Sequence, residues 1–318
     1  MNDLSDAFAH AILPASIHPA IDHALAAFDA PRAGIAARAI CAALAARLAG
    51  GGDPWGGSRL TGDGFPLEIA FSTADDRIRA TVEPGARTLP AAARLEVVAT
   101  ILEGLGEPVP RPVLDGLLAM QAAGPLAYGA WLGLRAGAQG VAGQAYVEVP
   151  RGAPLRARSL PLGSREVTPR MIAYTPSSAS FEAYVRVRAL EPGELPAVLA
   201  PIGGEARVPS LLEFIEEAHG YRIRERFPGP VGVSYGWPSS ERVTLHFYAR
   251  AMWGPDAAIR RGFCRVARGL GWDDATYLRA TAPIAERNDW KTFHGLLAVT
   301  LDAGGAVSLG IGVRPVAP

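Results

Sequence analysis

The sequence predicts an α+β fold in which ten antiparallel strands, arranged as five hairpins, close into a barrel surrounded by a ring of helices. Three observations carry that prediction. Strand-like pairs recur five times, with helical stretches between most of them. Each pair alternates apolar and polar residues with a period of two, so every hairpin has one greasy and one polar face. The helices need an apolar surface to pack on, and only the greasy faces supply one, so the polar faces turn away from them. An open antiparallel sheet would also satisfy this pattern, with water on its far side. It would leave two edges to protect, and a sheet of ten strands tends to curl. The far-side residues are also rich in tyrosine and arginine, which favours a closed barrel whose polar lumen is too wide for side chains alone to fill.

The elements follow in chain order. Helical patterns near 19–29 and 33–49 come first, and the whole of 1–50 is expected to pack on the barrel exterior within one domain spanning 1–318. In the first hairpin, "FPLEIAFSTADDRIRATVEPG", Leu67, Ile69 and Phe71 oppose Glu68, Ala70 and Ser72. Its return arm sets Ile78, Ala80 and Val82 against Arg77, Arg79, Thr81 and Glu83. "LPAAARLEVVATILEGLG" reads as a helix opened near Pro90 and stopped at Gly104 or Gly106, and "RPVLDGLLAMQAAG" as a second. The second hairpin surrounds a Gly-rich turn at 137–143, with Gln144, Tyr146 and Glu148 on its polar face. That glycine cluster lacks the strand–glycine–helix setting of a phosphate loop and reads as a turn. "RMIAYTP" and "SFEAYVRVRAL" form the third pair, with Glu182, Tyr184, Arg186 and Arg188 opposing Phe181, Ala183, Val185 and Val187. Helix "PSLLEFIEEAHGYRI" leads to the fourth, "VGVSYGWP" and "RVTLHFYARAMW", where Arg242, Thr244, His246, Tyr248 and Arg250 share a face. Helix "DAAIRRGFCRVARGLGW" leads to the fifth, whose polar face carries His294 and Arg314.

Bulk properties narrow the function. Of the 318 residues 49% are apolar, enough for a sizeable core, and the formal net charge is zero, which argues against a nucleic-acid binder working through a basic field. Lys291 is the only lysine, an arginine bias expected of a GC-rich genome. Cys41 and Cys264 lie far apart in apolar surroundings and read as buried thiols in a reducing cytoplasm. No CxxC, HExxH or histidine cluster offers a metal site. The first ten residues lack a basic start and apolar run, and "GIAARAICAALAARLAG" is short and broken by Arg38 and Arg47, so neither a leader nor a membrane span is expected.

The lumen is where chemistry is expected. Arginines enclosed together repel one another unless an anion joins them, and guanidinium forks match phosphate oxygens. Glu83, Glu148 and Glu182 would neutralise some of that charge. Interleaved aromatic faces suit a planar substrate or a carbocation. A diphosphate site beside an aromatic cavity is what transfer of an allylic group needs.

Helix-flanked strand pairs repeated five times resemble the ABBA prenyltransferases, whose ten-stranded PT barrels hold the active site in the lumen. The first hairpin is most similar to the dimethylallyltryptophan synthase branch, which has a Pro-x-Glu-[Ile/Leu] strand followed by an Arg-x-x-x-Glu-Pro strand. Here these read Pro66-Leu67-Glu68-Ile69 and Arg79-Ala80-Thr81-Val82-Glu83-Pro84. The resemblance implies that Glu68 hydrogen-bonds the acceptor's indole N–H and that Arg79 holds the diphosphate. The family repeats Lys-x-Tyr on its return strands. This chain has Gln144-x-Tyr146, Glu182-x-Tyr184 and Thr244-x-His246-x-Tyr248, so the tyrosines persist as cation shields while the lysines are gone. Arg135, Arg186, Arg242 and Arg250 have the parity to take over the charge. Trp131 and His294 are expected to bind the acceptor, and His246, with Glu68, to handle the proton.

The Asp-rich magnesium motif of isoprenyl diphosphate synthases is absent, so no cofactor and no metal requirement are expected. The expected partners are an allylic diphosphate, dimethylallyl first, and an aromatic acceptor of the indole or tryptophan type. Two alternatives stay open: a peptide prenyltransferase acting on Tyr, Trp, His or Arg side chains, and a barrel that binds an anionic aromatic ligand without chemistry.

Overall fold

Alternation with a period of two becomes ten strands in the structure, a computed structural model that describes residues 16–49, 53–137, 140–153, 167–237 and 240–318. The strands are β1 (Leu67–Ser72), β2 (Ile78–Val82), β3 (Ala130–Gly137), β4 (Gly140–Glu148) and β5 (Val167–Thr175). They continue as β6 (Ser180–Val187), β7 (Val231–Trp237), β8 (Arg242–Tyr248), β9 (His294–Asp302) and β10 (Val307–Val313). Each strand pairs with its sequence neighbours, and β10 returns to β1 through Ile69↔Val313 and Phe71↔Ile311, so the barrel is closed and has no edge. The turn expected over 137–143 is narrower, because β3 runs to Gly137 and β4 starts at Gly140; residues 138–139 lie outside those described, as do the first ten residues read for a leader.

The greasy faces meet the helices. Leu67, Ile69, Phe71, Ile78, Ala80 and Val82 are all buried, each large side chain among them contributing about 1.5–3 kcal/mol, while Glu68 and Arg79 alternate onto the lumen side. The α-helices begin with α1 (Pro19–Leu25) and α2 (Ala30–Leu48), then α3 (Arg94–Gly104) and α4 (Arg111–Gln121). After these come the short α5 (Leu195–Leu199), α6 (Val208–His219), α7 (Ala249–Trp253), α8 (Asp256–Gly269) and α9 (Ala275–Ala280). Helix α2 starts where the Asp29 side chain accepts the Arg32 amide at 3.1 Å. Its buried stripe of Ala36, Ala39, Ile40, Ala43 and Leu44 is small enough to lie close over β2, β3 and β4. Hairpin turns join the two strands of each pair, and helices connect β2 to β3, β6 to β7 and β8 to β9, so the barrel has a turn end and a helix end.

Three polar residues expected in the lumen are held elsewhere. Glu83 follows the last residue of β2 and turns outward, where its carboxylate pairs with Arg47 at 2.7 Å and Arg94 at 3.4 Å and accepts from Ser58 and the Arg59 amide at 3.0 Å. Glu148, at the end of β4, folds back onto the amides of Ala127, Tyr128 and Gly129 at 2.7–3.0 Å. Arg314 lies beyond β10, over the rings of Phe65 and Phe293 and paired with Asp63 at 3.0 Å. Of the three carboxylates expected to offset lumen arginines, Glu182 alone does so, 3.7 Å from Arg242.

Two further expectations are corrected by local geometry. The strand read as running to Trp253 ends at Tyr248, and Arg250 sits on α7 with its guanidinium 4.7 Å from the Trp290 ring centre. His294 has lumen parity only if β9 is regular. The register steps from Ile311↔Leu297 to Val313↔His294, so β9 carries one extra residue, and this bulge turns His294 to the helix side. There it is 3% exposed, with Nδ1 2.6 Å from Asp256 of α8 and Nε2 2.8 Å from the Tyr277 hydroxyl of α9.

The Arg47–Glu83–Arg94 cluster ties α2 and α3 to the end of β2, and its pair with Arg47 is almost fully buried. Burial alone would raise the Glu83 carboxyl, but the Arg59 amide and the two arginines hold it below the ordinary carboxylate value. Its contribution is therefore complete above the unfolded pKa and lost as pH falls through the lower folded one. Glu83→Ala should cost about 3–5 kcal/mol, because it strands two buried guanidinium groups. Urea unfolding measures this, and a loss below about 1 kcal/mol would show that the cluster behaves like a surface pair.

Candidate active site

The first hairpin sets Glu68 and Arg79 on adjacent strands, one lumen position apart, since Glu68 pairs with Thr81 and Ala70 with Arg79. Glu68 lies against Gly295 of β9 and Gly312 of β10, and a Cβ at either glycine would overlap its carboxylate. These two glycines let the side chain rest on the wall. Glu68 makes no hydrogen bond or ion pair among the described residues. Burial pushes its carboxyl up to about 7, although the group still touches the lumen and is not sealed from water.

Arg79 and Arg135 stand directly opposite each other on β2 and β3. Arg79 Nη2 reaches Asp75 at 2.7 Å, while its Nη1 is buried without a partner. Arg135 Nη2 donates to Gln144 Oε1 at 3.3 Å. Burial lowers the pKa of Arg79, Asp75 opposes that, and the like charge of Arg135 adds to it. Two facing guanidinium groups with a buried, unused donor have the charge and the free N–H that an anion would satisfy.

Rings line the wall beside them. Tyr146 meets Tyr184 edge-on with centroids 5.8 Å apart, and Tyr184 lies 5.6 Å from His246. A Cβ at Gly133 would be 2.6 Å from the Tyr146 ring, so glycine there makes room for it. Trp131 is paired with Tyr146 across β3 and β4, stacks on Tyr128 at 4.0 Å, and keeps a buried Nε1–H without an acceptor. On the far wall Ser234 of β7 lies between Glu182 at 2.7 Å and His246 at 3.0 Å. Burial pushes His246 down to about 4, against the opposing charge of Glu182. At the helix end Arg186 donates to the Tyr248 hydroxyl at 3.0 Å, and Tyr248 stands beside Leu296 with 41% and 40% of their surfaces exposed.

The lumen thus gathers Glu68, Arg79, Trp131, Arg135, Tyr146, Glu182, Tyr184, Arg186, Arg242, His246 and Tyr248, and leaves out Arg250 and His294. Sequence reasoning missed Ser234, Gly133, Gly295 and Gly312. A small residue at a lumen position among large ones was the available signal, but its meaning depends on which strand stands opposite. Among the described residues no group of three or more His, Cys, Asp or Glu side chains could hold a metal ion, and no helix is long and apolar enough to cross a membrane.

The fold is the ABBA barrel of aromatic prenyltransferases. The solved structure of 5-dimethylallyltryptophan synthase from Streptomyces coelicolor matches with a TM-score of 0.70 at 17% identity, covering 93% of this chain and 95% of that one. 6-Dimethylallyltryptophan synthase from Micromonospora olivasterospora, in complex with DMASPP and Trp, matches at 0.67 and 15%, covering 95% and 100%. AnaPT from Neosartorya fischeri matches at 0.64 and 12%, covering 99% and 98%. No family model and no curated protein sequence matches the chain.

Proposed function

We propose that this chain is an aromatic prenyltransferase that moves an allylic group, dimethylallyl in the first instance, from its diphosphate to an indole- or tryptophan-type acceptor in the barrel lumen. One observation carries the reading: an unpartnered carboxylate, Glu68, and a facing arginine pair with an unused buried donor line the same cavity on adjacent strands. The neighbouring fold from Streptomyces coelicolor, solved with DMASPP and Trp, supports the same pairing of ligands.

The residues divide the work as follows. The diphosphate leaves with the electron pair of its C–O bond into the forks of Arg79 and Arg135, whose charge, in place of a metal ion, stabilises the separation in a low-dielectric lumen. Arg186 and Arg242, on the opposite wall, extend the positive field toward the two ends of the barrel. Tyr146, Tyr184 and Tyr248 present ring faces to the allylic cation and exclude water. Glu68 accepts the acceptor's N–H, Trp131 stacks on its ring, and His246 takes the proton displaced by the new bond. Cys41 and Cys264 are both free thiols, in keeping with a cytoplasmic setting.

A second reading, prenylation of a peptide side chain, draws on the exposed Tyr248 and Leu296 at the helix end, where a larger acceptor would meet the barrel. The test is incubation with dimethylallyl or geranyl diphosphate and a chelator against tryptophan, tyrosine, indoles and short cyclic peptides, with products read by mass. The expected result is one prenyl unit on a free indole. Product on peptides alone moves the assignment to the second reading. Diphosphate binding without any product leaves a binding barrel.

A further inference from the structure

The far wall of the lumen contains a chain of three polar groups, of which the roles assigned above use only His246. Ser234 Oγ donates to Glu182 Oε1 at 2.7 Å and lies 3.0 Å from His246 Nε2. A hydroxyl has one proton to give, and with that proton spent on the carboxylate it accepts from the imidazole. His246 therefore carries its proton on Nε2 and keeps a lone pair on Nδ1, which has no partner among the described residues. Gly232 leaves room for the His246 side chain, since a Cβ there would stand 3.0 Å from His246 Cβ. Three adjacent strands supply the chain, through the pairs Tyr184↔Ser234 and Glu182↔Gly236 between β6 and β7, and Gly232↔His246 between β7 and β8. Glu182 lies near the start of β6, at the turn end. Its second oxygen is 3.7 Å from Arg242, whose side chain is 52% exposed, so the chain leads from the interior to water.

We propose that Ser234 and Glu182 form a relay that carries the proton taken up by His246 out of the lumen to the turn end of the barrel. The proposal rests on the prenyl-transfer reading and assigns its final step. After the prenyl carbon bonds to the acceptor ring, the C–H bond at that ring carbon breaks and its electron pair restores aromaticity. The proton goes to His246 Nδ1, the Nε2 proton passes to Ser234 Oγ, and the Ser234 proton passes to Glu182 Oε1. The imidazole ends neutral and the carboxylate ends as the acid, which returns its proton to water beside Arg242. The physical gain is that no imidazolium has to persist in a lumen already holding Arg79 and Arg135, where burial disfavours it. Released diphosphate need not act as the base either. Ser234 and Glu182 act through His246 and are positioning residues, not contacts of the substrate.

The experiment uses dimethylallyl diphosphate with tryptophan or with ring-deuterated tryptophan, and follows diphosphate release and prenylated product separately. Wild-type protein is expected to release diphosphate and form product at equal rates, with no primary isotope effect, because loss of the ring proton is fast. Ser234→Ala should form product slower by on the order of a hundredfold. It should also show a primary isotope effect and release diphosphate faster than product as water captures the cation. Glu182→Gln should do the same, and Ser234→Thr, which keeps the hydroxyl, should restore coupling. A packing defect alone would slow both rates together and create no isotope effect. If wild type turns over and both Ser234→Ala and Glu182→Gln stay coupled without an isotope effect, the relay is overturned and the transfer reading stands. If wild type transfers no prenyl group, the transfer reading falls and the relay with it.

Discussion

Glu68→Gln should lower kcat/KM for an indole acceptor by on the order of a hundredfold while donor binding changes little. Glutamine fits the same space against Gly295 and Gly312 but brings no charge to the acceptor's N–H, so the ring is left less nucleophilic. Burial lifts the Glu68 carboxyl to about 7, and the acceptor needs the carboxylate form. The free protein should therefore lose kcat/KM for the acceptor as pH falls below about 7, and the glutamine variant should lose that limb of the profile. His246, pushed down to about 4, titrates too low to produce it. Stability moves the other way. A carboxyl whose folded pKa is raised costs stability once pH exceeds its unfolded value, so at pH 8 Glu68→Gln should melt at or above the wild-type temperature. A variant that turns over normally, or that loses activity only by unfolding, would remove Glu68 from its proposed role.

Arg79→Ala should weaken diphosphate binding by on the order of ten- to a hundredfold, the worth of a lost charge-assisted contact, with far less effect on acceptor binding. The Nη1 that would engage the anion has no protein partner, so its loss costs the fold little, and the pair with Asp75 is partly open to water. Arg135 remains directly opposite and keeps part of the site. Arg79→Lys should recover only part of the affinity, because an ammonium keeps the charge but not the planar fork. Calorimetric titration with inorganic diphosphate, followed by titration with tryptophan, separates the two ligands. Equal losses for both would mean a damaged barrel instead of a missing phosphate contact.

The barrel was legible because it is written in strictly local terms. Alternation with a period of two at Leu67–Ser72 or Arg242–Tyr248 says which residues face the helices without reference to any other part of the chain. The Glu68 and Arg79 pair was legible for the same reason, since one hairpin places both on one face. Parity failed wherever the backbone departed from regularity. The extra residue in β9 reversed His294, the helical turn after Tyr248 removed Arg250, and the ends of β2 and β4 let Glu83 and Glu148 swing onto amides and outside arginines. None of these irregularities has a composition of its own, so a sequence pattern carries no mark of them.

By itself, then, the sequence determined five hairpins with one greasy face each, helices to cover them, and a polar interior carrying arginines, tyrosines and one motif-bearing carboxylate. Only the tertiary structure decided which polar residues meet. Ser234 belongs to Glu182 and His246 because β7 lies between β6 and β8, and Glu68 rests on Gly295 and Gly312 because β10 closes onto β1. Alternation is set by the backbone of each strand alone. Contacts across a lumen are set by closure and register, which bring together residues as far apart in the chain as Glu68 and Gly312.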